Sequence, residues 1–228
     1  MSSFSLSIEL QRPARELKWF SLLAPAGLVL AITAMHLMAQ TLEAKPSQKL
    51  TEKDRELAIN HLKASREKFA KSVVGLSEAQ LMFKSAPDRW SVAEVAEHIT
   101  VTEGILFNLL TDMALKSPAT PDKERKLTDD QLVAMMTDRS SKAQASEQNK
   151  PTGRWKTVAE TMQEFEKERA RTIDFVKTTT TDLRSHFSSF GPLGEVDALQ
   201  WVLLISGHCE RHIAQINEVK ADPNFPKK

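Results

Sequence analysis

The sequence predicts an all-α protein: a bundle of four long helices with a long crossover between the second and third, preceded by a hydrophobic N-terminal segment. Three observations point there. The 228 residues include 7 glycines and no tyrosine, and few stretches alternate apolar and polar residues as a half-buried strand does. Helix-start signatures recur, with Thr51 three residues before Asp54, Ser91 before Glu94 and Thr157 before Glu160. After each, apolar residues return at helical spacing, and Pro87, Pro118, Pro151 and Pro223 fall between these segments.

Taken in order, residues 1–39 read as a signal peptide or membrane anchor. Trp19 to Ala39 contain no Asp, Glu, Lys or Arg, and Arg12, Arg15 and Lys18 precede them. A buried core helix is the third option, since Pro25 and His36 interrupt the run. If the stretch inserts or directs export, the expected location is extracytoplasmic, either periplasmic or membrane-anchored, and the membrane is met only through this segment. Residues 40–49 are a polar linker, 50–222 the helical domain and 223–228 a tail.

The first helix is expected from Thr51 to about Val74, with Ile59, Leu62, Phe69 and Val73 inward and His61 on the surface. Ser77 to Leu81 form a short helical turn. The second long helix runs from about Val92 to Lys116 and ends before Pro118. Ser117 to Arg154 is polar, with one amphipathic piece near Asp129 to Thr137, and reads as the crossover, partly covering the bundle. The third long helix runs from Thr157 to about Lys177. Arg169 interrupts its apolar arc and is expected to snorkel at the bundle edge. His186 lies in a loop with Phe187, Phe190, Gly191 and Pro192 and reads as structural. The fourth long helix starts near Glu195 and ends before Pro223.

That last helix carries Ser-Gly-His-Cys-Glu-Arg-His-Ile-Ala-Gln-Ile, residues 206–216. His208 and His212 stand one turn apart on one face. They share an arc of about 120° with Trp201, Leu204, Ile205, Ile216 and Val219, so both rings point toward a core. Two separately hydrogen-bonded core histidines, or a shared cation, would satisfy them. On the second long helix His98 shares an arc with Val95, Ile99, Thr102 and Leu106 and also points inward. Three inward imidazoles on two helices suit a three-nitrogen metal site with positions open to water or substrate. Cys209, the single cysteine, points about 100° away from His208 and reads as a packed thiol.

The run Trp90-Ser91-Val92-Ala93-Glu94-Val95-Ala96-Glu97-His98-Ile99, followed far downstream by His208-x-x-x-His212-x-x-Gln215-Ile216, resembles the DinB/YfiT-like superfamily. Gly75-Leu76-Ser77-Glu78-Ala79-Gln80-Leu81, leading to Trp90, fits as well. The likeness spans roughly residues 50–220 and has nothing to do with the DNA polymerase that shares the DinB name. It implies a four-helix bundle binding one metal ion through three histidines. It also implies hydrolase-like or thiol-transferase chemistry, with the metal activating water or a low-molecular-weight thiol.

The residues narrow the chemistry further. Zincin peptidases need Glu directly after the first histidine, where Cys209 stands, and the inverted motif needs Glu before the second, where Arg211 stands. Glu210 is about 200° from His208 and faces away. The sequence thus supplies ligands and no general base, and the catalytic residues stay unassigned. Glu94, one turn before His98, and Gln215, beside His212, are candidates to support the ligands, although Glu94 also has a capping role. One divalent transition metal is expected, zinc or nickel first, since three imidazoles do not fix its identity. The partner is a small-molecule substrate or low-molecular-weight thiol, and a second copy of the chain is a candidate for a homodimer. A net charge of +1, from 31 basic and 30 acidic residues, argues against nucleic acid. Whether the site turns over substrate is left open; the alternative is a non-catalytic metal-binding or stress-related binding module.

Overall fold

The computed structural model describes residues 50–140 and 144–227. Helix α1 spans Glu52–Val73, and Thr51 and Asp54 close a reciprocal capping box at its start. The short α2 spans Glu78–Met82 behind Ser77 and Gln80, which do the same. Helix α3 spans Val92–Leu109, started by Ser91 and Glu94. A single π turn over Leu110–Ala114 continues it. Helix α4, Asp129–Thr137, is the amphipathic piece expected within the crossover. Helix α5 spans Val158–Thr178 and α6 spans Ala198–Lys220.

Contacts between side chains fix the direction of each long helix. Along α1 and α5, Arg55 reaches the carbonyls of Val176 and Thr179, Ser65 meets Arg169, and Phe69 packs edge-on against Phe165. Numbers rise on one helix as they fall on the other, so the pair is antiparallel. Along α3 and α5 the order matches: Glu103 meets Arg169 and Phe107 packs on Phe175. It matches again along α1 and α6, where Ser65 meets Cys209, Lys68 meets Glu210 and Ser72 meets Lys220. The bundle therefore consists of two parallel pairs, α1 with α6 and α3 with α5, running in opposite directions. A parallel α3–α5 pair needs a connection that travels back along a helix of about 27 Å, and the crossover supplies it.

Two apolar clusters fill the interior. One joins the start of α1 and α6 to the ends of α3 and α5, with Leu62, Leu110, Val176 and Leu203 among its members. The other joins the start of α3 to the end of α6, with Val95, Ile99, Ile213 and Ile216. Late α6 thus meets early α3, so these two helices are antiparallel neighbours.

Three expectations are corrected. Arg169 does not snorkel at the edge: it is 0% exposed. Its guanidinium grips both oxygens of Glu103 at 2.5 and 2.8 Å, and it donates to Ser65 Oγ at 2.6 Å and to the Leu62 carbonyl. A charge that far inside is tolerated because each of its three nitrogens has a partner. The fourth long helix begins at Ala198, not near Glu195. Glu195–Asp197 form strand β2, paired antiparallel with β1, Phe187–Ser189. Asp197 caps α6 through Gln200, so the helix cannot start earlier. Finally, the signal-peptide and transmembrane readings find no helix to rest on: none among the described residues is long and apolar enough to cross a membrane. Even α3, the most apolar of the long helices, carries Glu94, Glu97 and Glu103. Trp19 to Ala39, and the extracytoplasmic location expected from it, lie outside the described residues.

The buried pair generates a stability prediction. Replacing only one partner, as in Glu103→Ala, leaves an uncompensated buried charge and costs about 3–5 kcal/mol in urea unfolding. The double variant Arg169→Met with Glu103→Leu recovers most of that loss, because no charge is then left without a partner. A double variant as unstable as Glu103→Ala would show that the pair is not the source of the effect.

Candidate metal centre

The antiparallel docking of α3 on α6 brings together three histidines from two helices. His98 Nε2 lies 3.1 Å from His208 Nε2 and 3.2 Å from His212 Nε2. One potential ligand atom from each residue lies within 4.8 Å of the others. His98 is 3% and His208 9% exposed, so water does not satisfy these rings freely. Nitrogens about 2.0–2.1 Å from one tetrahedral zinc ion stand about 3.3 Å apart. The observed separations from His98 match that spacing, and the three residues fit a divalent ion.

Hydrogen bonding on the far side of the rings sets which nitrogen faces the centre. His98 Nδ1 lies 2.7 Å from the carbonyl oxygen of Asn149. A carbonyl only accepts, so Nδ1 carries the proton and Nε2 presents a lone pair. His212 Nδ1 lies 2.8 Å from Gln215 Oε1, with the same consequence. Two lone pairs therefore face each other across 3.2 Å, an arrangement that a shared cation relieves.

The surroundings keep the rings neutral. Burial lowers the His98 pKa, although the Asn149 carbonyl partly opposes it. Burial, then the neighbouring rings of His212 and His98, hold His208 well below the usual histidine range. His212 falls to about 3, through burial and His98 first, with Arg139 and Arg211 adding to the effect. Neutral imidazole is the form that binds a metal.

A cleft of about 820 Å³ opens beside the rings. Trp90 forms one wall, its ring centroid 4.9 Å from that of His98. Met135 and Met136 of α4 and Phe190, Pro192 and Leu193 of the β1–β2 connection form others. Helix α4 sits close because residue 207 is glycine: a Cβ there would meet Met136 Cγ at 3.1 Å. Asp88 is the one carboxylate among the described residues lining the cleft.

The other residues singled out in the sequence sort clearly. Gln215 touches His212. Glu94 does not serve the ligands: its carboxylate accepts from the Ser91 backbone N–H at 2.8 Å and pairs with Lys84 at 2.7 Å. Cys209 is fully buried, its thiol pushed up to about 12 by burial, and it faces the Ser65 carbonyl of α1 at 3.8 Å rather than the three rings. Glu210 pairs with Lys68, and His186 Nδ1 is engaged by the Ser117 carbonyl. Sequence reasoning missed Glu97 and Asn149. Glu97 is 6% exposed and holds the end of the crossover. The signal for it was a carboxylate directly before His98 on a helix with little free surface. Asn149 acts through its backbone carbonyl, for which no side-chain signal exists.

The DinB superfamily model matches residues 61–216. Among solved structures, the chain is similar to YfiT from Bacillus subtilis, described as a probable metal-dependent hydrolase with an unusual four-helix bundle topology. The two share a TM-score of 0.52 and 14% identity, over 80% of this chain and 94% of that one. No curated protein matches the sequence. With 156 of 228 residues inside the family match, the chain belongs to the DinB superfamily.

Proposed function

We propose that this protein is a metal-dependent enzyme in which His98, His208 and His212 hold one divalent transition metal, zinc or nickel first. It acts on a small molecule bound in the cleft, by hydrolase-like or thiol-transferase chemistry. The observation that carries the reading is the set of neutral imidazole nitrogens converging at 3.1 and 3.2 Å from His98. The description of YfiT as a probable metal-dependent hydrolase supports the same class.

Such an ion supplies Lewis-acid activation of a water or a low-molecular-weight thiol, lowering its pKa toward about 7 in the case of zinc-bound water. The protein's own residues do the rest. Gln215 and the Asn149 carbonyl keep the His212 and His98 lone pairs aimed inward. Trp90, Met135, Met136 and Phe190 offer apolar walls to the substrate body. The carboxylates of Glu94 and Glu97 are fully engaged elsewhere, which favours activation at the metal over a carboxylate base.

Metal analysis of the full chain should give about one ion per chain. His98→Ala, His208→Ala and His212→Ala should each lower the content at least about tenfold. His61→Ala and His186→Ala should leave it unchanged. Chelation should abolish turnover in an ester, amide and thiol-transfer screen, and readdition should restore it. Normal loading in the His208→Ala protein would sink the proposal, and a loaded but inert protein would instead favour the binding-module alternative.

The depressed histidine pKa values give a second prediction. A group whose folded pKa is lowered binds fewer protons folded than unfolded at intermediate pH, so stability is lost as pH falls. The loss begins near the unfolded histidine value of about 6.5 and for His212 runs toward about 3. The thermal midpoint of the metal-free protein should therefore fall between pH 6.5 and 5, within the range about 5–6.5 where carboxylates stay ionised. His212→Gln should flatten that slope. A midpoint independent of pH in this window would contradict neutral burial.

A further inference from the structure

The crossover does not merely pass the site; its last turn is clasped to the helix that carries His98. Glu97 immediately precedes His98 on α3. Its carboxylate accepts the backbone N–H groups of Thr152 at 2.8 Å, Gly153 at 2.9 Å and Arg154 at 3.2 Å. The Arg154 guanidinium adds a bond at 3.1 Å to Glu97 Oε1 and reaches back to the carbonyls of Lys150 and Gln148 at 3.0 Å each. Three successive amides can converge on one anion because Gly153 sits at φ 74°, where the backbone curls into an anion-binding nest. Burial opposes the Glu97 charge, but these donors outweigh it and hold the carboxyl below its usual range. The same short segment supplies Asn149, whose carbonyl receives the His98 Nδ1 proton at 2.7 Å.

The geometry points to Glu97 as a positioning residue for the metal centre, acting through residues 148–154 and the Asn149 carbonyl to fix the tautomer and aim of His98. This rests on the metal reading above and adds to it a residue that touches neither ion nor substrate. The circuit has few joints: carboxylate to nest, nest to the Arg154-braced turn, turn to the Asn149 carbonyl, carbonyl to ring. A break anywhere along it frees His98 to rotate or change tautomer. A supporting partner of a ligating histidine typically contributes about 10–100-fold to metal affinity.

Two variants of the full chain test it. Glu97→Gln removes the charge and turns an N–H donor toward the amides. Gly153→Ala leaves Glu97 intact and loosens the nest, since a Cβ there meets nothing within 4 Å and only the positive φ is strained. Both should stay folded by circular dichroism. Amide exchange at Thr152, Gly153 and Arg154 should accelerate in both. Zinc affinity, measured against a chromophoric chelator, should fall by about 10–100-fold in Glu97→Gln and by less in Gly153→Ala. The visible absorption of the cobalt(II) form should shift in Glu97→Gln as the ligand set distorts, and Glu97→Asp should recover part of the affinity. Fast amide exchange with wild-type zinc affinity and cobalt spectrum would make the clasp structural only and overturn the inference. Unchanged amide exchange would overturn it too. Wild-type protein that takes up neither zinc, nickel nor cobalt would overturn the metal reading itself, and this inference with it.

Discussion

Three imidazoles aimed at one point, each neutral and two with their far nitrogen committed as donor, are the constraint around which this molecule is arranged. The rings repel one another weakly and are expensive to bury, yet the structure holds them together. The antiparallel pairing of α3 and α6 places them at the same height. The apolar clusters on either side keep that height fixed. The parallel pairing of α3 with α5 forces the long crossover, and the crossover returns along the bundle to deliver Asn149 and the Glu97 clasp. A centre that ties α3, α6 and the crossover together would share its binding energy with the fold, because an ion that binds the folded chain alone stabilises it by mass action.

The buried Arg169–Glu103 pair does a different job. It joins α1, α3 and α5 at mid-bundle, about 1.4 turns along α3 from His98, about 7.5 Å at helical rise. With Ser65 and the Leu62 carbonyl satisfying the remaining donors, the guanidinium fixes the rotation of α3 about its own axis. That rotation decides whether His98 points at α6 or past it. Hydrophobic packing alone tolerates small rotations, since apolar side chains of similar volume can repack. A bidentate charged pair is far less forgiving of angle.

Much of this was legible in the sequence, for specific reasons. Helix-start signatures announced α1, α3 and α5, because an N-cap and its partner need a fixed pair of residue types three apart. The inward phase of His98, His208 and His212 followed from helical periodicity, and the polar, proline-bearing crossover from composition. What was lost depended on tertiary partners. Arg169 looked like an edge residue because nothing local marks Glu103 as its mate, sixty-six residues away. The Glu195–Asp197 strand exists only because Phe187–Ser189 lies opposite. Glu94 offered two local roles with the cap preferred, and its bond from the Ser91 N–H bears the cap out. Glu97 was marked only by its place before His98, because its partners are mostly backbone amides, which every sequence possesses.

The charge balance at the centre bears on what the proposed site would stabilise. Three neutral ligands leave the full charge of a divalent ion uncompensated, whereas a carboxylate ligand would cancel part of it. Arg139 and Arg211 add positive potential close enough to depress His212. Arg139 is itself held by both oxygens of Glu218 at 2.6 and 2.8 Å, and Arg211 by the Asp138 carbonyl. The one carboxylate on the cleft wall among the described residues, Asp88, is exposed to solvent, where its field is screened. A centre of that character favours whatever ligand can become an anion, and both candidate nucleophiles can: water by losing a proton, a thiol more readily because its unperturbed pKa of about 8.5 is far lower. The positive charge of Arg139 and Arg211, which adds to burial in keeping His212 neutral, would thus serve the proposed chemistry, by stabilising the deprotonated nucleophile without a protein base.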